Sequence, residues 1–453
     1  MTARRLLSLL LSLLSLAAGA AEAPLLFRNA TVITMDTAGA LERHDLLVKD
    51  GKIARLAPTG NIDAKDARIV DASGKFLLPG LAEMHAHVPG PEATGHAEDV
   101  LILYVAHGLT TIRGMLGQPT HLELRERIAR GETFGPRLFT SGPSVNGESA
   151  PEPATAERMV REQEAAGYDF VKLHPGLQRS VFDAVAATAR EVGIPFAGHV
   201  PGDVGVRRAL AAKQSAIDHL DGYVQALARE GCIDDEIRAG FFGIALTDCA
   251  DESRIPELVA ATKAAGTWMA PTQVLIEQWA DPPTEARLRA RPAWRYVSPA
   301  DAAEWQRARA RFGSAAPVAE RFIALRRELL RRMHAAGVPL LLASDAPQVF
   351  NVPGDSALAE LELYGEIGLP ALDALATGTV NVARFFGAET RFGRLREGLA
   401  ADVLLLSADP RANLANVRKL EGVMLRGRWL PRGELDALLD GVAARQAQRH
   451  QGR

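Results

Sequence analysis

An α/β fold built around a (β/α)8 barrel, the TIM-barrel architecture, is predicted for this chain of 453 residues by three observations. Between residues 77 and 390, short apolar runs alternate about eight times with helical stretches rich in Ala, Arg and Glu, the pattern of repeated βα units. Two small groups of β signals bracket that region, one near each end of the chain. No glycine-rich phosphate fingerprint follows the first apolar run, which disfavours a doubly wound open sheet.

The elements follow in order. Residues 1–20 read as a secretory signal: Arg4 and Arg5 supply the positive start, residues 6–16 an apolar run broken only by serines, and Ala18-Gly19-Ala20 a small-residue cleavage site. The run is shorter than the roughly 20 apolar residues a spanning helix needs. The expectation is export, to the periplasm or the medium, with no stable membrane insertion after cleavage. Residues 24–35 and 46–56 then read as strands, with Asp50-Gly51 marking a hairpin. The barrel strands are expected at 81–85, 109–113, 137–140, 170–173, 195–198, 215–217, 267–270 and 338–343, with helical spacers such as 155–166, 181–192 and 319–336. The longest spacer, 271–319, follows the seventh strand and carries Trp279, Trp294 and Trp305 among many arginines. It is either a lid over the catalytic mouth or a pair of solvated helices whose tryptophans pack on the barrel. Residues 403–406 and 423–430 supply the closing β signals.

Composition excludes several function classes. Apolar residues at 47% and charged residues at 24% are those of a soluble globular protein, and a net charge of -3 gives no global attraction to nucleic acid or an anionic membrane. The expected partner is a small-molecule substrate. The sequence gives no oligomeric state. Two cysteines, Cys232 and Cys249, are too few for a cysteine metal site. They are either one disulfide or two separate buried thiols, because nothing in the sequence sets their distance. Only eight of the 52 basic residues are lysine, so a lysine inside an apolar stretch draws notice.

The chemistry concentrates at strand ends. In Glu83-Met84-His85-Ala86-His87 the two histidines project from one face of a strand and can reach one metal ion. His199, His219 and Asp345 close three later apolar runs, and strand ends of a barrel converge on one face. A buried carboxylate at Asp345 requires a metal or an arginine beside it. Lys172 ends the fourth run. Its ammonium would be repelled by a nearby dication, whereas a lysine carboxylated by carbon dioxide is an anion able to bridge two metals. The competing role is a salt bridge to a neighbouring carboxylate. His174 follows as a substrate contact or as a cap on the turn before Pro175.

Taken together, His85, His87, Lys172, His199, His219 and Asp345 resemble the ligand set of the amidohydrolase superfamily, in its imidazolonepropionase-like and prolidase-like subgroup. Gly108-Leu109-Thr110-Thr111-Ile112-Arg113 and Gly398-Leu399-Ala400-Ala401-Asp402-Val403 are similar to further segments of that family. The resemblance implies a composite β-sandwich made of residues 24–76 and 391–435 beside a barrel of residues 77–390. It also implies two divalent metals, zinc by ligand type, with carboxylated Lys172 between them, and a metal-bridged hydroxide that hydrolyses an amide bond while Asp345 shuttles the proton. The implied substrate is a dipeptide or an N-acyl amino acid, although Pro201 and the Thr140–Val145 segment depart from the dipeptidase pattern. The alternatives are a mononuclear imidazolonepropionase-like or deaminase-type enzyme, which would usually lack Lys172, and a lactone or ester hydrolase. A non-catalytic scaffold would typically have lost ligands, and here all six are present.

Overall fold

The computed structural model describes residues 23–36, 39–90, 96–232 and 239–449; the expected signal at 1–20 lies outside the described residues. The first strands are β1 (Leu25–Val32), β2 (Leu41–Lys49), β3 (Lys52–Pro58), β4 (Arg68–Asp71) and β5 (Phe76–Pro79). Asp50 and Gly51 join β2 to β3 with φ of 51° and 72°, the mirror-image two-residue turn whose twist matches that of paired strands. The central strands are β6 (Leu81–Ala86), β7 (Leu109–Gly114), β8 (Arg137–Thr140), β9 (Val171–Leu173), β10 (Phe196–Gly198), β11 (Ala216–Asp218) and β12 (Trp268–Ala270). The chain closes with β13 (Val403–Leu406), β14 (Leu420–Leu425) and β15 (Arg428–Pro431).

Segments from both ends of the chain share one sheet, in the order β15-β14-β13-β5-β1-β2-β3, with β4 paired to β1. The join is antiparallel, β13 against β5, so the whole central region is inserted between two parts of one sheet. Alternate residues of these strands build a core of their own: Leu25, Phe27 and Val32 meet Leu77, Val403, Leu405 and Met424. Phe27 and Trp429, four hundred residues apart in the chain, meet edge to face at 5.0 Å.

Between these segments every strand runs parallel to its neighbours. One sheet has the order β6-β7-β8, a second β9-β10-β11-β12. Parallel bridges Ser141–Phe170 and Val145–Leu173 join β8 to β9. Met269–Leu340 joins β12 to residues 340–346, and Ala86–Ala346 joins that segment to β6. The succession of pairings therefore returns to its starting strand. Residues 340–346 hold their place through bonds such as Met84 N to Leu342 O (2.8 Å) and Leu341 N to Met269 O (2.8 Å). They form isolated bridges rather than the regular strand expected at 338–343, and at Asp345 the chain leaves the extended region with φ of 62°.

The helical spacers form at Pro153–Ala166, Arg179–Val192 and Ala316–Ala336. In the second, Val181, Phe182, Val185, Ala186 and Ala189 are buried at three- and four-residue spacing, the stripe an amphipathic helix turns inward. The long spacer folds into helices Gln273–Ala280, Glu285–Arg289 and Pro299–Arg311. Trp305 is buried against Trp294 and Phe350, each at 5.8 Å, so these tryptophans pack on the body. Trp279 instead approaches the site described below. Cys232 and Cys249 form a disulfide, which settles the alternative left open by the sequence. Among the described residues no helix is long and apolar enough to cross a membrane.

Candidate metal centre

β6 is buried along its full length, and its alternation carries Glu83, His85 and, just past its end, His87 to one side. Glu83 accepts the backbone N–H of His85 (2.8 Å) and of Ser344 (2.9 Å), while Ser344 Oγ donates to its other oxygen (2.5 Å). It thereby ties the strand bearing the two histidines to the segment bearing Asp345. Burial pushes the Glu83 carboxyl up to about 8.

Asp345 sits at the centre of the histidines. Its Oδ1 lies 2.6 Å from His87 Nε2 and 3.5 Å from His85 Nε2, and its Oδ2 lies 3.9 Å from His219 Nε2. The ligating atoms of His85, His219 and Asp345 all fall within 4.8 Å of one another. His219 is held in the left-handed region (φ 60°), and its Nδ1 is hydrogen-bonded to Thr272 Oγ1 at 2.7 Å. That bond leaves Nε2 directed at Asp345. His199 Nδ1 lies 2.8 Å from Asp221 Oδ2, and its ring is 4.7 Å from that of His219. His174 stacks on His199 at 5.0 Å and lines an open groove with Leu116, Ser144, Asn146 and Glu148.

Lys172 reaches the same place from below. Its Nζ donates to Asp218 Oδ2 at 2.6 Å, and Arg113 Nη2 donates to Asp218 Oδ1 at 3.3 Å. All three side chains are 0% exposed. Arg113 is further anchored by Nε on Met84 O at 2.6 Å. Only glycine lets β10 lie this close to Lys172: a Cβ on Gly198 (φ 128°) would stand 2.4 Å from Leu173 O and 2.9 Å from Lys172 Cδ.

Electrostatics prepare the histidines as ligands. Burial first, and the Lys172 charge second, hold His85 well below the usual imidazole range. Burial and then His199 do the same to His219, and burial then Lys172 push His174 down to about 2. Neutral imidazoles keep a lone pair for a cation. His85 Nδ1 is buried 3.3 Å from Asp218, which leaves Nε2, 3.5 Å from Asp345 Oδ1, as the ring atom turned to the centre. Neutral imidazole nitrogens and a carboxylate gathered in this way form a donor set that suits a divalent cation.

All seven residues singled out in the sequence converge here. Glu83, Arg113, Asp218, Asp221 and Thr272 were not anticipated. Glu83 shares the two-residue alternation of His85 and His87, and Arg113 and Asp218 are charges within apolar strands, so a signal existed for each.

A sequence model of the amidohydrolase family matches residues 76–430. The chain belongs to the amidohydrolase family. Among curated relatives it is similar to an adenine deaminase of Chelativorans sp., 28% identical over 250 residues, which are 51% of this chain and 40% of that protein. The match thus spans well under half of that relative. Among solved structures this amidohydrolase is similar to a bottromycin amidohydrolase (TM-score 0.71, 23% identity, 93% of this chain and 90% of that one). It is also similar to a Xaa-Pro dipeptidase with bound methionine in the active site (TM-score 0.66, 17% identity, 90% and 100%).

Proposed function

We propose that this amidohydrolase cleaves an amide C–N bond of a small molecule, a dipeptide or an N-acyl amino acid, at a centre formed by His85, His87, Lys172, His199, His219 and Asp345. The closed succession of parallel strands is read as a (β/α)8 barrel, whose strand ends would bring these residues to one mouth. The observation that carries the proposal is the buried, neutral His85 and His219 with Asp345, their ligating atoms within 4.8 Å of one another. Mixed imidazole and carboxylate donors suit divalent zinc, which when bound supplies Lewis-acid polarisation of a carbonyl and acidification of water.

The chain's own groups then have defined tasks. Asp345 takes up a proton at its carboxylate and returns it to the departing nitrogen. Thr272 fixes the orientation of His219. His174, neutral at working pH, can offer substrate one hydrogen bond but no charge. Carboxylation of Lys172 converts its ammonium into a carbamate with loss of two protons, and the remaining N–H can still donate to Asp218. Asp218 keeps Arg113 as a buried counter-cation through that change.

A second reading has one observation in its favour. His85, His219 and Asp345 by themselves form a single-ion set, while Lys172 is engaged by Asp218, which suits one divalent ion and deaminase-type chemistry. Metal analysis separates the two. Two ions per chain, lost with activity in Lys172→Ala and partly restored by short carboxylic acids, are expected of the binuclear enzyme; one ion and full activity in that variant would overturn it. We also propose export, supported by the signal-like first 20 residues and by the disulfide.

A further inference from the structure

We infer that Phe242, in the turn 241–249 that ends at the Cys232–Cys249 disulfide, and Trp279, on the helix after β12, form an aromatic subsite that takes a large apolar or aromatic side chain of the substrate. The inference rests on the amide-hydrolase reading of the centre. The rings of His174 and His199 are 5.0 Å apart, those of His199 and His219 are 4.7 Å apart, and Phe242 lies 5.3 Å from His219. A scissile group at His199 and His219 would therefore lie within reach of both the His174 groove and Phe242.

Phe242 is held against that position. Its backbone is left-handed (φ 50°, ψ 24°), a conformation a bulky side chain rarely adopts unless its surroundings impose it. Those surroundings are specific. Its neighbour Phe241 meets Trp279, Phe312 and Phe322 edge to face at 6.1–6.3 Å. The base of the loop is clamped by the Cys232–Cys249 disulfide and by Asp251 N on Leu227 O at 2.8 Å. Trp279 lies 6.2 Å from Phe242 and stacks flat on Phe312 at 4.5 Å.

Two features separate this cluster from ordinary core. Phe242, Trp279 and Phe312 all remain half-buried although they pack together. Trp279 Nε1 is buried with no acceptor, an unsatisfied indole donor on the ring that neighbours Phe242. An apolar side chain lying on the rings, with a carbonyl or carboxyl oxygen reaching Trp279 Nε1, would satisfy both.

The test pairs turnover with binding. Metal-loaded enzyme is assayed on N-acetyl-phenylalanine, N-acetyl-leucine and N-acetyl-alanine and on phenylacetyl-glycine, and binding of L-phenylalanine and L-alanine is measured by calorimetry. A preference of about tenfold or more is expected for the substrates with a large apolar or aromatic group over N-acetyl-alanine, and for L-phenylalanine over L-alanine in binding, the size of a buried large side chain. Phe242→Ala should cut that ratio about tenfold, and Trp279→Phe, which keeps a ring and loses the N–H, should weaken L-phenylalanine binding severalfold. Ratios within one variant do not depend on the folded fraction. No preference for the large side chains over alanine, or an unchanged ratio in Phe242→Ala with unchanged L-phenylalanine binding in Trp279→Phe, would overturn the subsite. Preferential binding of L-phenylalanine without turnover of any amide would leave the subsite standing and overturn the amide-hydrolase reading instead.

Discussion

Asp218→Asn probes the buried charge cluster beneath the centre. Asp218 is the carboxylate that both Lys172 Nζ (2.6 Å) and Arg113 Nη2 (3.3 Å) contact, and none of the three side chains touches solvent. Asparagine keeps the shape and removes the charge, so two cations are left facing a neutral amide. Stranding one partner of a buried pair costs ~3–5 kcal/mol. At about 2.1 cal/mol/K of unfolding entropy per residue, a chain of 453 residues carries roughly 1 kcal/mol/K, so the melting temperature should fall by ~3–5 °C. The measurement is thermal and guanidinium unfolding of chelator-treated protein, which isolates the cluster from bound metal. Adding Lys172→Met should recover part of the loss, because one cation rather than two is then stranded. A drop below about 1 °C, or a double variant as unstable as the two single losses summed, would refute the assignment of Asp218 as the common counter-ion.

Two further outcomes follow from the fold. Replacing Cys232 and Cys249 by serine opens a loop of sequence separation 17, for which chain entropy predicts a loss of about 3 kcal/mol; a melting temperature within 1 °C of the parent would show that the loop is ordered without the bond. Glu360 accepts the backbone N–H groups of Gln273 (2.9 Å) and Val274 (2.6 Å) that open the helix after β12, and burial pushes its carboxyl up to about 8 from 4.5. Between those values the folded state binds more protons than the unfolded one, so stability should decline as pH rises from about 4.5 to about 8, by on the order of 4 kcal/mol. Glu360→Gln, which resembles the protonated form, should flatten that slope in denaturant titrations at pH 5 and pH 8. Equal slopes in parent and variant would exclude Glu360 as the titrating group.

The residues legible in the sequence were those whose position follows from local periodicity. His85 and His87 share a face because they are two apart in a strand, and His199, His219 and Asp345 each end an apolar run, so one topological assumption gathers all five. Partners set by the cross-strand neighbourhood were not legible. Glu83 meets Ser344 across 261 residues, and Arg113 meets Asp218 across 105. No local pattern encodes which strands lie side by side at which height. Phe242 was hidden for another reason: its ring faces His219 through a left-handed backbone that its sequence does not advertise.

Lys172 shows where such legibility ends. Its rarity and its apolar strand marked it, and the fold delivers it to Asp218 and Arg113. As an ammonium it is paired with Asp218 at 2.6 Å; as the proposed carbamate it would keep one N–H for Asp218, whose charge Arg113 would still compensate. The sequence carries no pattern that chooses between these two states. Metal stoichiometry, not further refinement of side-chain contacts, is the measurement that separates a two-ion amidase from a one-ion deaminase on this scaffold.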